Sequence, residues 1–214
     1  YGLHGVPTVT DLQSAVATLE GAHAAFAVPS GLTATTLPLL ALLKPGDHLL
    51  VTDSVYGPTR RFCDLHLARF GIEVTYYDPA VGAAIEREMR ANTRVVFTES
   101  PGSLTFEVQD VPAIAEAAHR RGAWVVLDNS WATPVFQKPI RHGVDLVVHS
   151  ASKYIGGHSD TVAGVVAGPQ AMIARLNELT HPFLGAKLSP LEAFLLTRGL
   201  RTLPDDAEVE KERA

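Results

Sequence analysis

The chain has 214 residues, of which 46% are hydrophobic and 19% charged, with a formal net charge of −5. This composition suits one globular domain with a sizeable core, and an acidic balance without any basic run argues against a nucleic-acid partner. The apolar runs stop well short of a membrane span, the single cysteine, Cys63, excludes an internal disulfide, and the nine histidines show no zinc-ligand spacing; a cytoplasmic protein without a metal site is expected.

In chain order, residues 23–28 predict a strand, 32–43 a helix stopped by Lys44-Pro45-Gly46, and 48–52 a second strand. Residues 58–70 predict a helix ended by Gly71, 72–76 a strand and 83–90 a short helix. Further strands are predicted at 94–98, 123–127, 144–149 and 161–167, with a helix at 111–121 between the first two. No internal repeat or low-complexity linker divides the chain. Alternation of this kind implies an α/β fold, a mostly parallel, mixed sheet with helices on both faces.

In such sheets ligands sit beyond the carboxyl ends of the strands, and the reactive residue types collect there. Lys153 stands in Val147-Val148-His149-Ser150-Ala151-Ser152-Lys153-Tyr154, and Asp128 closes the apolar run Trp124-Val125-Val126-Leu127. A lysine that can bond an aldehyde and an aspartate that can keep a pyridine nitrogen protonated are what pyridoxal phosphate chemistry requires. Ser150 and Ser152 are short donors within reach of a phosphate, and Ser30-Gly31-Leu32, between a strand and a helix, can cradle one with backbone N–H groups. Tyr56 can stack on a planar ring. Each feature taken singly has a plainer reading: Lys153 as a solvated charge, Asp128 or Ser30 as a cap, Tyr56 as a turn aromatic.

The run Ser150-Ala151-Ser152-Lys153-Tyr154-Ile155-Gly156-Gly157-His158-Ser159-Asp160, followed by Val162-Ala163-Gly164, resembles the cofactor-lysine signature of the cystathionine-metabolising pyridoxal phosphate enzymes of fold type I. Glu99-Ser100-Pro101-Gly102-Ser103 and Tyr1-Gly2 match as well. The resemblance implies that residues 1–214 are the large cofactor-binding domain, with pyridoxal 5'-phosphate as cofactor and a sulfur amino acid as substrate. It implies that Lys153 carries the cofactor and acts as base, that Asp128 partners the pyridinium, and that Tyr56 stacks on the ring and handles the substrate amine. Gly31, Leu32, Ser150 and Ser152 would form the phosphate cup, with Ser130 as a hydroxyl beside the pyridine. Tyr1 would reach the phosphate of a neighbouring subunit, so that the site depends on a dimer within a dimer of dimers.

Three departures stand out. An arginine common two positions after that tyrosine is Leu3 here, and Ser103 replaces an asparagine usual in many relatives, a change also seen in bacterial cystathionine β-lyases. The small C-terminal domain with its carboxylate-binding arginine is expected to be missing, as in an excised piece. The implied reaction is β-elimination of cystathionine to homocysteine, pyruvate and ammonia. A γ-lyase, a γ-replacing synthase, a sulfhydrylase or a catalytically incomplete cofactor-binding domain are the rival expectations.

Overall fold

In the computed structural model, which describes residues 5–179 and 183–205, seven strands form one sheet. They are β1 (Ala24–Val28), β2 (His48–Thr52), β3 (Glu73–Tyr77), β4 (Thr93–Glu99), β5 (Trp124–Asp128), β6 (Leu146–His149) and β7 (Gly164–Gly168), in the spatial order β1-β7-β6-β5-β4-β2-β3. From β3 through β6 neighbouring strands are parallel, while β7 runs against both β6 and β1. The sheet is therefore mixed and mostly parallel, as expected, and β1 shares the direction of the parallel set.

The helices are α1 (Pro7–Glu20), α2 (Gly31–Leu42), α3 (Gly57–Phe62), α4 (Val111–Arg120), α5 (Thr133–Phe136), α6 (Gln170–Leu179) and α7 (Pro190–Gly199). Every residue of β2, β6 and β7 is buried, because helices cover both faces; such strands read as unbroken apolar runs. Side chains still alternate. Leu49, Val51, Phe97, Val126 and Val148 share a core with Leu37 of α2 and Ile173 of α6, whereas Leu50, Val96, Val125, Leu127 and Val147 pack with Ile114 of α4. A third cluster joins β1 and β7 to α1 and α7 through Leu12, Val16, Ala25, Val165 and Leu196. Among the described residues no helix is long and apolar enough to cross a membrane.

Several elements differ from the sequence expectation. The helix expected at 58–70 begins as α3 and then changes pitch, through a π turn at Cys63–Leu67 and a 3-10 turn at Ala68–Phe70, before Gly71 ends it with φ 72°. The short helix expected at 83–90 is a 3-10 helix, Gly82–Arg87, which buries Ile85 alone and so lacks an apolar stripe to hold a full α turn. The strand expected from 161 starts at Gly164, after a bend in which Ser159 takes φ 55°. Helices α1, α5 and α6 are not anticipated at all. For α1 the reason is specific: its buried positions are Leu12, Val16, Ala17 and Glu20, and a carboxylate in the stripe interrupts the apolar period.

Because they share one direction, β1, β2, β4, β5 and β6 deliver their carboxyl ends to the same edge of the sheet. Gly164 lets α2 seat there, since a Cβ at this position would stand 2.2 Å from the Ser30 carbonyl oxygen and 2.8 Å from Ala34 Cβ. Gly164→Ala should therefore push the first turn of α2 off the sheet and lower stability by about 1–3 kcal/mol, as overpacking does. Urea unfolding checks this; an unchanged midpoint would mean that α2 is not held at that contact.

Candidate active site

The first wall of the site is the start of α2. Ser30 leaves β1 extended and caps the helix, its Oγ accepting the Thr33 N–H at 3.1 Å. A Cβ on Gly31 would lie 2.5 Å from Ser150 Oγ and 2.8 Å from Ser150 Cα, so a residue without a side chain is required for α2 to begin this close to the end of β6. Among the described residues the Gly31 and Leu32 N–H groups have no acceptor, which is the ordinary state of a helix first turn. Together with the helix dipole they make a concave, electropositive place for an anion.

The second wall comes from β5 and β6. Asp128 ends β5, and its Oδ1 accepts the Ser130 N–H at 2.9 Å. The Ser130 hydroxyl in turn accepts the Ser150 N–H at 2.6 Å, tying the segment after β5 to the segment after β6. Lys153 lies in the tight turn beyond, its N–H donating to the Ser150 carbonyl at 3.1 Å and its own carbonyl accepting from Gly157 at 2.7 Å. The turn aims Nζ at the Tyr56 ring, 5.6 Å from the ring centroid.

Glu99, the last residue of β4, closes the third side and is only 8% exposed. One carboxylate oxygen accepts the Tyr56 N–H at 2.8 Å and the other accepts the Ser103 hydroxyl at 2.5 Å. Glu99 thereby holds together the loop after β2 and the loop after β4. Its backbone pairs in register with Asp128. Burial and the Asp128 charge raise the Glu99 carboxyl to about 7, although the bonds from Ser103 and Tyr56 and the Lys153 charge oppose the rise. Trp131 meets Phe106 edge to face at 6.0 Å and lines the mouth.

These residues enclose a cavity of about 230 Å³. Of the residues singled out from sequence, Gly31, Leu32, Tyr56, Asp128, Ser130, Ser150 and Lys153 all line it, together with Ser103. Ser30 and Ser152 do not. The Ser30 hydroxyl is engaged in capping, and the Ser152 hydroxyl donates to the Ala163 carbonyl at 3.1 Å and accepts the Ala163 N–H at 2.9 Å. Tyr1 and Leu3 lie outside the described residues. Glu99, Trp131, Thr35 and Pro58, for which the sequence carries no expectation of a role, also line the cavity. For Glu99 the available signal was its place at the end of an apolar strand, the same signal that marked Asp128. Among the described residues Lys153 is the sole cation on the cavity wall. Arg60 is engaged with Asp53 and stacks 3.8 Å over the Tyr76 ring, and Arg198 pairs with Asp160.

A family model described as Cys/Met metabolism PLP-dependent enzyme matches residues 1–214. A protein of Rhizobium johnstonii, provisionally named cystathionine beta-lyase, is 51% identical over 203 residues, 95% of this chain and 51% of its own length. An L-methionine gamma-lyase of Pseudomonas putida is 41% identical over 92% of this chain and 50% of its own length. The chain thus spans about half the length of these curated relatives. Its fold superposes on the crystal structure of metB from Corynebacterium glutamicum with a TM-score of 0.93 and 36% identity, over 96% of this chain and 53% of that one.

The Glu99 carboxyl generates a pH dependence with a definite sign. Between the ordinary value of 4.5 and about 7 the folded chain keeps a proton that the unfolded chain has lost, so this contribution to stability is complete below 4.5 and is lost as the pH rises to about 7. Glu99→Gln keeps the shape without the charge. It should flatten that slope and add on the order of 2 kcal/mol relative to the parent above pH 7. Urea unfolding at pH 5 and pH 8 checks it; an undiminished slope in Glu99→Gln would assign the proton to another group.

Proposed function

Since the chain belongs to the Cys/Met metabolism family of pyridoxal phosphate-dependent enzymes, we propose that it is a carbon–sulfur lyase that carries out β-elimination on cystathionine, giving homocysteine, pyruvate and ammonia. The observation that carries this reading is the convergence of Lys153, Asp128 and Tyr56 on one cavity whose end is the Gly31–Ser150 cradle. The residues suit the cofactor: a cradle that a single Cβ would fill, unpartnered first-turn N–H groups for a phosphate, and a carboxylate in the same cavity for a ring nitrogen.

In this reading the Gly31 and Leu32 N–H groups and the Ser150 hydroxyl hold the phosphate. The Ser152 hydroxyl contributes only by leaving Ala163. Asp128, oriented by the Ser130 N–H, keeps the pyridine nitrogen protonated. Tyr56, anchored through its N–H to Glu99, packs on the ring face. When bound, the cofactor supplies an electron sink for the charge that develops at the substrate α-carbon. Lys153 would hold the cofactor aldehyde, and its Nζ would serve as the base for the substrate α-proton, tethered on one side of the site by the turn at Ser150. A homo-oligomer in which Tyr1 reaches a neighbouring phosphate is part of the same proposal.

The β-lyase assignment is supported by Glu99-Ser100-Pro101-Gly102-Ser103, where the small Ser103 lines the cavity with its hydroxyl given to Glu99, and by the relative named for that activity. A γ-elimination or γ-replacement reading has its own support in the 41% identity to a γ-lyase. Product analysis separates them. Cystathionine should give pyruvate and homocysteine, whereas a predominance of 2-oxobutyrate and cysteine would favour the γ reading.

Two experiments test the assigned roles. Borohydride reduction and peptide mapping should find the pyridoxyl group on Lys153; a label on Lys138, whose Nζ is occupied by the Leu19 carbonyl at 2.9 Å, would overturn the assignment. Asp128→Asn should retain the cofactor but lose elimination rate, by on the order of 2.7–4 kcal/mol in the transition state, the size seen for one lost charge-stabilising donor. Near-parental turnover in Asp128→Asn would reduce Asp128 to a turn residue.

A further inference from the structure

Hydrogen-bonded to the residues next in sequence to Asp128 and Ser150, and outside the lining of the cavity, lies a buried polar group with no part in holding the cofactor. Glu20, the last residue of α1, is fully buried. Its Oε1 accepts the Asn129 amide Nδ2–H at 3.0 Å and sits 2.5 Å from His149 Nε2. Asn129 and His149 are themselves 0% and 1% exposed. Asn129 immediately follows Asp128, and His149 immediately precedes Ser150. One carboxylate thus grips the neighbours of both residues across 109 and 129 positions of sequence.

The grip is reinforced from each direction. The Asn129 N–H donates to the Val148 carbonyl at 2.9 Å, and Asn129 Nδ2 also donates to the Gln137 carbonyl at 3.1 Å. Lys138 Nζ donates to the Leu19 carbonyl, pinning the end of α1 from which Glu20 projects. As a device for stability alone the arrangement is poor. Glu20 Oε2 and Asn129 Oδ1 are buried without any partner, and unsatisfied buried oxygens of this kind are destabilising, so an apolar trio of equal volume would hold α1 against the sheet more firmly. What an apolar trio lacks is direction: hydrogen bonds fix the ends of β5 and β6 at one angle, and packing alone does not.

We propose that Glu20 is a positioning residue, which through Asn129 and His149 sets the orientation of Asp128 and Ser150 toward the cofactor. The inference rests on the assignment of Asp128 and Ser150 to the cofactor site. It makes the geometry at the sheet edge depend on α1, none of whose residues lines the cavity.

The test compares the parent with Glu20→Gln, which retains size and one acceptor but no longer offers Asn129 and His149 a carboxylate. Three quantities are measured: the dissociation constant for pyridoxal phosphate by equilibrium dialysis, the absorption maximum of the bound cofactor, and the urea midpoint of the cofactor-free protein. Glu20→Gln should weaken cofactor binding by about tenfold or more, in the range of other outer-layer supports, and shift the absorption maximum. In an Asp128→Asn background the same change should leave the maximum where Asp128→Asn alone puts it, because the effect passes through Asp128. His149→Leu cuts the link from the β6 side and carries the same expectation should Glu20→Gln fail to fold. A lowered urea midpoint with parental affinity and absorption would overturn the proposal and leave Glu20 a packing residue, as would equal spectral shifts in both backgrounds. A parent protein that binds no cofactor would instead overturn the assignment on which the proposal rests.

Discussion

The register of three parallel strands is the constraint on which the site depends. Glu99 of β4 lies opposite Asp128 of β5, and Asp128 opposite Val148 of β6. Side chains alternate along a strand, so a slip of one residue in either pairing would turn Asp128 into the core and bring a valine or leucine to the cavity. The apolar residues on both faces resist such a slip: Val125, Leu127 and Val147 on one side and Val126 and Val148 on the other all have their places filled. The core thus serves as the ruler by which the polar residues at its edge are placed.

That placement is electrostatically uncomfortable. Two carboxylates share the end of the sheet, Glu99 nearly buried and raised well above the usual carboxylate range by burial and by its neighbour's charge. A lone lysine faces them, and behind them Glu20 leaves one oxygen unpartnered. A sequence selected for stability alone would have little reason to put three carboxyl groups here. Residues that disfavour one another in the resting fold are characteristic of sites arranged for chemistry, and the helix N-terminus of α2, with its glycine against Ser150, completes the arrangement with the opposite polarity.

Much of the sheet was legible from local sequence because a doubly covered parallel strand is a run of apolar residues, and such runs end where function begins. The strand at 48–52 agrees with β2, and Asp128 and Lys153 are recognisable as reactive groups at or just beyond the carboxyl end of an apolar run. Helix α1 was illegible for the same reason that Glu20 is interesting: a buried carboxylate in the helix stripe looks like a surface residue until its partners, more than a hundred positions away, are known. Glu99 ends an apolar strand as Asp128 does, yet nothing local says that Tyr56 and Ser103 will both turn their donors toward it. The pitch change after α3 was likewise hidden, as the spacing of Cys63 and Leu67 suits an α and a π turn equally well.

By itself the sequence determined the α/β class, the places of most strands along the chain, the residues able to bond an aldehyde and a pyridine nitrogen, and the family that the signature around Lys153 resembles. All of these rest on short-range facts: apolar periodicity, turn residues and the identity of side chains within a few positions of one another. The tertiary structure decided which of the marked residues meet. It brought Gly31 against Ser150, set Glu99 beside Asp128, turned the Ser30 and Ser152 hydroxyls to caps and turns, and joined α1 to the strand ends through Glu20. Those contacts depend on strand order and register, which arise from packing the whole core at once and are encoded in no single stretch of chain.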